Sequence, residues 1–324
     1  GTDDNHIMGN FIGTDITGLT SLGAMGIRMG YGASNNTIGG TGTGERNLIS
    51  GNSIAGIYIS ADGPVTTGNK LLGNYIGTDL TGTSSLPNGD GILVWSGAAN
   101  TQIGGSTAGA GNLISGNINI GIDISFADTD GNQVIGNKIG TDASGTIALP
   151  NYYGITIGAG AADTVVGGTT AGARNLISGN GMVGLWMDGE ATTGTQVMGN
   201  YIGTDISGAS SLANYEGIII STGSTGNQVG GTALGAGNLV SGNTLDGIFM
   251  QSLTSPGNVI VGNRIGTNAS GTAAIPNYFG IYLDSASYNI IGGTQSAAGN
   301  LISGNADSGL YLSLIHISEP TRPY

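Results

Sequence analysis

The sequence predicts an all-β protein, a parallel β-solenoid of about ten coils with three short strands in each coil. Glycine supplies 65 of the 324 residues, cysteine is absent, and short motifs recur along nearly the whole chain. The motif IGTD starts at positions 12, 76, 139 and 202, and IGTN starts at 265, so the repeating unit has about 63 residues. Self-similarity at a fixed period is the signature of a protein whose repeats stack on one another.

The first predicted strand follows a glycine and reads Gly-apolar-x-apolar. It occurs ten times, with its glycine at positions 26, 56, 91, 121, 154, 184, 217, 247, 280 and 309. Alternation of apolar and variable residues is typical of a short strand with one buried face. Because the steps between copies are 29 to 35 residues, each copy is expected to mark one coil.

The second predicted strand follows an asparagine and appears as NLISGN in one half of the repeat and NYIGTD in the other. Its asparagines lie at positions 10, 47, 74, 112, 137, 175, 200, 238, 263 and 300. Stacked asparagines can hydrogen-bond to those of the coils above and below, which predicts an asparagine ladder. A third strand precedes it, as in NKLLGN and NQVIGN. Three strands then complete a coil of 30 to 33 residues, and identical strands pair in parallel and in register.

Together, the GIxI, GNxVxGN and NxISGN segments resemble the bacterial right-handed parallel β-helix repeat proteins over residues 1 to about 311. The resemblance implies a right-handed coil but no single activity, because pectin-active enzymes, surface adhesins and tailspikes share that architecture. Residues 312–322, LSLIHISEPTR, are similar to a translated sequencing-library adapter. Residues 1–311 are therefore expected to be one β-helix fragment truncated at both ends, and residues 312–324 a non-native tail.

Composition restricts the possible partners and chemistry. The formal charge is −13 with only seven Lys and Arg residues, which disfavours nucleic acid as a partner. No apolar run is long enough for a transmembrane segment. His6 is the only histidine before the tail, so Ser-His-Asp and multi-histidine metal sites are not expected. No cofactor is predicted. Calcium is the one metal considered, although no compact DxDxD cluster supports it.

A regular set of aspartates follows the second strand. Asp15, Asp79, Asp142 and Asp205 alternate coil by coil with Asn52, Asn117, Asn180 and Asn243. Two structural roles are predicted for the aspartates. Interleaved asparagines would keep like charges apart and donate to the carboxylates. The aspartates would also cap turns by accepting hydrogen bonds from the backbone.

The outward positions of the glycine-led strand vary most, and they provide the candidate site residues. The central outward positions are Arg28, Tyr58, Leu93, Asp123, Thr156, Trp186, Ile219, Phe249, Tyr282 and Tyr311. The positions two places later include Trp95, Asp188, Gln251 and Asp284. Asp123 and Asp188 are weak catalytic candidates, since about 12 Å should separate their backbones. An inverting glycosidase needs its two carboxylates about 6.5 to 9.5 Å apart, so no catalytic pair is predicted.

An aromatic strip is predicted on this outward face. Its candidate ligand-binding residues are Trp186, Phe249 and Tyr282, with Tyr58 and Trp95 nearer the beginning of the chain and Tyr152, Tyr215 and Tyr278 in the longer turns beside the strand. Flat rings at regular intervals suit the sugar rings of an extended glycan, and Asp188 and Asp284 could bind hydroxyl groups. In the alternative interpretation, the rings stack on one another and only stabilise the sheet.

The sequence therefore predicts a secreted or cell-surface repeat scaffold, adhesin-like, that binds a polysaccharide or cell-surface glycan. The alternative is a polysaccharide-active enzyme, a glycoside hydrolase or polysaccharide lyase, that uses carboxylates on the same outward face. Two carboxylates converging within about 9 Å would favour the enzyme. A continuous aromatic strip without such a pair would favour binding.

Overall fold

A computed structural model describes residues 2–251 and 254–313, and these residues form a parallel β-solenoid. The predicted architecture is confirmed, with ten coils, three strands in each coil and three ten-stranded parallel sheets. Besides the strands, the described residues contain one short 3-10 turn, Ala171–Ala173. No helix among them is long and apolar enough to cross a membrane.

Each sheet contains one strand from every coil. Sheet 1 contains β1 (His6–Ile7), β4 (Thr37–Gly39), β7 (Lys70–Leu72), β10 (Gln102–Gly104), β13 (Gln133–Ile135), β16 (Val165–Gly167), β19 (Gln196–Met198), β22 (Gln228–Gly230), β25 (Val259–Val261) and β28 (Ile290–Ile291). Sheet 2 contains β2 (Phe11–Ile12), β5 (Leu48–Ile49), β8 (Tyr75–Ile76), β11 (Leu113–Ile114), β14 (Lys138–Ile139), β17 (Leu176–Ile177), β20 (Tyr201–Ile202), β23 (Leu239–Val240), β26 (Arg264–Ile265) and β29 (Leu301–Ile302). Sheet 3 contains β3 (Gly23–Met29), β6 (Asn52–Ser60), β9 (Asp90–Trp95), β12 (Ile120–Ser125), β15 (Tyr153–Gly158), β18 (Val183–Asp188), β21 (Glu216–Ile220), β24 (Asp246–Gln251), β27 (Phe279–Asp284) and β30 (Leu310–Ser313).

The core is a continuous column of aliphatic side chains that runs along the inside of the solenoid. In a single coil, Ile103 of sheet 1, Ile114 of sheet 2, and Ile122 and Ile124 of sheet 3 are all fully buried. The same positions in neighbouring coils hold further Ile, Leu and Val residues. Because β-branched side chains pack well on a pleated sheet and pair in register, the repeat stabilises every coil in the same way.

The predicted asparagine ladder is confirmed and runs from Asn10 to Asn300. Each amide group donates to the amide oxygen of the next coil, as in the bond of 3.0 Å from Asn74 to Asn112 and the bond of 2.9 Å from Asn112 to Asn137. The same amide groups also donate to backbone carbonyls of the preceding coil, for example from Asn112 to Leu71 at 2.8 Å. The ladder thus pairs polar groups that would otherwise be buried without a partner.

A second ladder corrects the predicted alternation of aspartate and asparagine. Asn52 donates to Asn88, which donates to Asn117, and Asn117 donates to Asn151, all at 2.8 to 2.9 Å. The prediction that aspartates alternate with asparagines in this stack was wrong. Residues 78–87 form a loop that leaves the coil, an excursion, which is closed by an antiparallel bridge between Thr78 and Ser85. Asn88, beyond the excursion, takes the ladder position instead of Asp79.

The aspartates cap these excursions, as predicted for turns. Asp79 accepts hydrogen bonds from the backbone N–H groups of Thr83 and Ser84 at 2.9 and 3.2 Å, and from the Thr81 hydroxyl at 2.8 Å. Burial acts to raise the pKa of Asp79, but these donors outweigh it and hold the pKa below its usual value. The carboxylate is therefore stabilised by its own turn.

The predicted boundary at residue 311 differs slightly from the structure. Strand β30 continues through Leu312 to Ser313, which pair with Leu283 and Asp284 of β27. Two residues assigned to the non-native tail therefore extend the last strand of sheet 3. The rest of that predicted tail, residues 314–324, lies outside the described residues.

Candidate functional site

The outward face of sheet 3 presents its central positions as one straight column. Parallel pairing joins Trp186 to Ile219, Ile219 to Phe249, Phe249 to Tyr282, and Tyr282 to Tyr311. The structure therefore brings together, on five consecutive coils, the apolar run in which the sequence placed its main candidates.

Within this column the rings contact one another toward the end of the chain. The ring centroids of Phe249 and Tyr282 lie 5.0 Å apart, and those of Tyr282 and Tyr311 also lie 5.0 Å apart. Phe279, which precedes the glycine of its strand, stacks on Tyr311 at 4.9 Å with an interplanar angle of 12°. These aromatic contacts stabilise the sheet, so the predicted stacking role is real for this group of rings.

A second line of rings lies beside the column and is open to solvent. Tyr152, Tyr215 and Tyr278 are 48%, 42% and 45% exposed and stand on alternate coils. Met182 and Leu245 occupy the coils between them, and backbone hydrogen bonds of 2.8 Å from Met182 to Tyr152 and from Leu245 to Tyr215 fix the register. Two strand spacings separate successive tyrosines, which is about 9.6 Å. We call these five residues the tyrosine strip.

Trp186 and Asp188 belong to one hydrogen-bonded chain. The Trp186 indole N–H donates to Ser221 Oγ at 2.9 Å, and the Ser221 hydroxyl donates to Asp188 Oδ1 at 2.7 Å. Tyr153 packs against the Trp186 ring with a centroid distance of 5.5 Å. The indole is thus held in one orientation, next to a carboxylate that retains acceptor capacity. Asp284, the other predicted polar candidate, is buried and accepts from Ser285 at 3.1 Å.

Nearer the beginning of the chain, Tyr58 and Trp95 form a separate aromatic group. Their rings meet edge to face at 5.7 Å, and Trp95 contacts Phe126 at 5.3 Å. The Trp95 indole N–H donates to Asp123 at 2.9 Å. Thr156 also donates to Asp123, which is only 7% exposed. Asp123 therefore positions the surrounding side chains, and it makes no hydrogen bond with Asp188, two coils away.

Sequence reasoning missed a pair of carboxyl groups at the edge of the strip. Glu216 and Asp246 occupy the position before the glycine on adjacent strands β21 and β24, and they are 7% and 2% exposed. The backbone N–H of Asp246 donates to Glu216 Oε2 at 3.2 Å. Asp246 Oδ1 is buried and accepts no hydrogen bond. The apolar neighbours in this column are Val183, which pairs with Glu216, and Phe279, which pairs with Asp246.

Burial sets the protonation of this pair. It raises the pKa of Glu216, and the nearby Asp246 carboxylate raises it further, to about 8. Burial also raises the pKa of Asp246, to about 6. Because two like charges on adjacent buried strands repel, the pair retains a proton at neutral pH. Among the described residues, no group of three or more His, Cys, Asp or Glu side chains could hold a metal ion.

The sequence carried a signal for this pair. An acidic residue stands directly before the strand glycine at only three places: Asp90, Glu216 and Asp246. Burial raises the pKa of Asp90 as well. Period-2 alternation does not show which way the residue before the glycine points, because Phe279 at this position stacks on the outward Tyr311 ring although it has the parity of the inward positions.

The fold defines the chain as a parallel β-helix protein. No protein-family model matches the sequence, and a comparison with curated proteins finds no match. Among solved structures, the chain is similar to the periplasmic alginate epimerase AlgG, with a TM-score of 0.45 and 15% identity over 87% of this chain and 61% of that one. It is similar to the Dettilon tailspike protein, with a TM-score of 0.44 and 16% identity over 90% and 60% of the two chains. It is also similar to an alginate lyase from Paenibacillus sp. str. FPU-7, with a TM-score of 0.31 and 15% identity over 89% and 91%.

Proposed function

We propose that this protein is a rigid, adhesin-like repeat scaffold, outside the cell or at its surface, that binds an extended glycan along the outward face of sheet 3. The tyrosine strip carries the proposal, because three tyrosines between 42% and 48% exposed occupy the same register position on alternate coils. Aromatic faces give sugar rings a large contact area at a low entropic cost. No conformational change is needed to form such a surface.

The strip favours a long, repeating ligand. Its three tyrosines span four strand spacings, about 19 Å, parallel to the axis of the solenoid. Met182 and Leu245, both partly exposed, hold the same register position on the two coils between the tyrosines, so every coil of the strip carries an apolar residue there. The charge of −13 favours a neutral glycan on this face. Asp188, which accepts from the Ser221 hydroxyl, is expected to accept further hydrogen bonds from sugar hydroxyl groups.

Binding by the strip can be tested by a glycan screen followed by calorimetry with the best ligand. The double variant Y215A/Y278A should weaken binding at least about tenfold, because each lost ring contact is worth about 1 kcal/mol. The matched control is Y288A, which removes a tyrosine that is 89% exposed and lies outside the strip. An equal loss of glycan affinity in Y215A/Y278A and in Y288A would contradict the proposal.

A second candidate function, a polysaccharide-active enzyme, is favoured by Glu216 and Asp246. The two residues lie on adjacent strands whose backbones are about 4.8 Å apart, which allows their carboxyl groups to approach the separation of about 5 to 5.5 Å in retaining glycosidases. A carboxyl group protonated at neutral pH is what a general acid requires. Burial argues against an enzyme, because Glu216 is only 7% and Asp246 only 2% exposed, which leaves little room for a substrate to reach the pair. Neither candidate function rests on a cofactor.

A glycan-cleavage assay distinguishes the binding scaffold from the polysaccharide-active enzyme. The wild type and the variants E216Q and D246N are incubated with any glycan that the screen identifies, and reducing ends and unsaturated products are measured. If the protein is a binding scaffold, the glycan should be bound and remain uncleaved in all three samples. Cleavage by the wild type that both variants abolish would establish the enzyme instead.

A further inference from the structure

A groove of about 550 Å³ opens beside sheet 2, and no residue of the tyrosine strip lines it. Its walls include the side chains of Arg46, Tyr75 and Lys138 and the glycine-rich segment 105–111. Grooves of 300 to 1,000 Å³ are typical of sites for small ligands. The groove crosses several coils, from the turn before β5 to strand β14.

Arg46 is held at the groove, and its guanidinium donates no hydrogen bond to any of the residues that the structure describes. Its guanidinium lies 3.8 Å from the centroid of the Tyr75 ring. A guanidinium stacked on a ring keeps its N–H groups at the edge, where they can bind an anion. Within the part of the chain that the structure describes, the only ion pair joins Arg28 to Asp62, so Arg46 has no carboxylate partner there.

Lys138 supplies the second cation. It stands at an outward position of β14, half-buried, and its ammonium group donates to the carbonyl of Ala143. An ammonium group has three donors, so this bond leaves two for a ligand.

Two carboxylates neighbour these cations, Glu45 next to Arg46 in the chain and Asp142, whose charge acts on Lys138, and both are engaged in their own turns. Glu45 accepts a hydrogen bond of 2.7 Å from the backbone N–H of Gly42. Asp142 accepts from the N–H groups of Gly145 and Thr146 at 3.0 and 3.1 Å. Their charges offset those of the cations at long range. Recognition in the groove must therefore rest on directional N–H donors rather than on a positive field.

The same arrangement recurs four coils further along sheet 2. Arg174 lies 3.9 Å from the centroid of the Tyr201 ring, as Arg46 does with Tyr75. Arg264 on β26 stands two strands beyond Tyr201, as Lys138 stands two strands beyond Tyr75. The described residues contain six Lys and Arg, and four of them belong to these two sets; the six are Arg28, Arg46, Lys70, Lys138, Arg174 and Arg264. Few cations are available in this chain, and most of them lie along one side.

We propose that this groove binds an acidic oligosaccharide, a sugar chain that carries carboxylate or sulfate groups, with Arg46 and Lys138 each holding one anionic group. The two residues are about three strand spacings apart, or roughly 14 Å at the backbone. One small anion cannot span that distance, whereas two groups on an oligomer can. The glycine-rich segment between them lets a sugar ring approach the backbone closely. This site is independent of the tyrosine strip and of its proposed ligand.

Calorimetry on the full chain tests the groove with a short hexuronic acid oligomer as the probe. The same oligomer with its carboxyl groups reduced to alcohols is the neutral comparison. The variant R46Q/K138Q should weaken binding of the acidic oligomer at least about tenfold, because each charge-assisted hydrogen bond contributes about 1.5 kcal/mol or more. The control K70Q, which removes one positive charge outside the groove, should bind within about twofold of wild type.

Each outcome either supports or overturns the proposal. Thermal melting is used to check that R46Q/K138Q is folded, and Y215A/Y278A should bind the acidic oligomer as wild type does. Equal affinity for the acidic and the reduced oligomers would overturn the proposal, as would equal binding by wild type and R46Q/K138Q. Inorganic phosphate or sulfate that binds as tightly as the oligomer would identify a site for free anions and would contradict an oligosaccharide ligand.

Discussion

The backbone N–H of Asp246 donates a hydrogen bond of 3.2 Å to Glu216 Oε2, and the two buried carboxyl groups belong to adjacent strands. Their column also contains Val183 and Phe279, and Tyr215 of the tyrosine strip directly precedes Glu216 in the chain. The buried asparagines of the solenoid belong to hydrogen-bonded ladders, as Asn112 does. Glu216 and Asp246 do not: Glu216 accepts one backbone N–H and Asp246 Oδ1 is unpartnered, so burial of this pair makes the stability depend on pH.

The first prediction is that stability falls as pH rises from about 4 through about 8. The folded-state pKa values are about 8 for Glu216 and about 6 for Asp246, above the ordinary values of 4.5 and 3.8. The folded state therefore binds protons more tightly than the unfolded chain, and this contribution is full below about pH 4 and lost as pH rises through the folded-state pKa values. Urea unfolding at pH 5 and at pH 8.5 should differ by a few kcal/mol.

The variants E216Q and D246N should flatten this dependence, because each removes one of the two titrating groups. The control D307N removes an exposed carboxylate and should keep the wild-type slope. Aspartates such as Asp79, whose pKa is lowered, act in the opposite direction and below about pH 4, so they leave this window unaffected. A wild-type slope in E216Q would contradict the assignment.

The second prediction concerns the ladder of Asn52, Asn88 and Asn117. In the next coil, Asn151 accepts from Asn117 at 2.9 Å and donates to Asn180 at 3.1 Å and to the Ile114 carbonyl at 3.0 Å. N151A removes these three hydrogen bonds from the buried ladder and should cost about 3 kcal/mol or more of unfolding free energy.

The matched comparison for N151A is Asn300, the last member of the first ladder. It is less buried and donates to Ile260 at 2.8 Å. N300A should therefore cost clearly less than N151A in the same urea titration. Equal costs would show that the ladder does not stabilise the interior of the solenoid.

The third prediction compares two glycines with positive φ, one in a crowded IGTD turn and one in an open turn, to separate the cost of backbone strain from the cost of crowding. Gly77 has a φ of +89°, and an added Cβ would lie 2.3 Å from Asn117 Oδ1. Gly44 has a φ of +84° but open space around its Cβ position. In both alanine variants the left-handed conformation lowers the free energy of unfolding by about 1 to 2 kcal/mol. Thermal melting should show that G77A is destabilised by at least about 2 kcal/mol more than G44A. Indistinguishable melting temperatures would be inconsistent with the packing at Asn117.

Most of the fold could be predicted because each coil repeats the same physical pattern. The GIxI and NxI segments alternate visibly, and stacked asparagines such as Asn74 and Asn112 leave an obvious signature. The second ladder was missed because the excursion at residues 78–87 makes NYIGTD look equivalent to NLISGN, although Asn88 and not Asp79 completes the stack. Alignment of motifs cannot show where an inserted turn rejoins the coil.

The candidate site was predicted less completely than the fold. Tyr152, Tyr215 and Tyr278 recur at fixed intervals, so their alignment could be predicted from spacing. Glu216 and Asp246 directly precede the strand glycine, a position where alternation does not report side-chain direction. Their burial depends on neighbours from other coils, such as Phe279, which a local pattern does not contain.

The central claim is that the strip binds an extended glycan, and affinity measured against ligand length tests it most directly. A series of neutral oligosaccharides of increasing length is titrated into the wild type and into Y215A/Y278A. For the wild type, affinity is expected to rise until the ligand spans the roughly 19 Å from Tyr152 to Tyr278 and then to level off. The variant should show no such rise. Affinity that is independent of length in the wild type, or an unchanged rise in the variant, would contradict the claim.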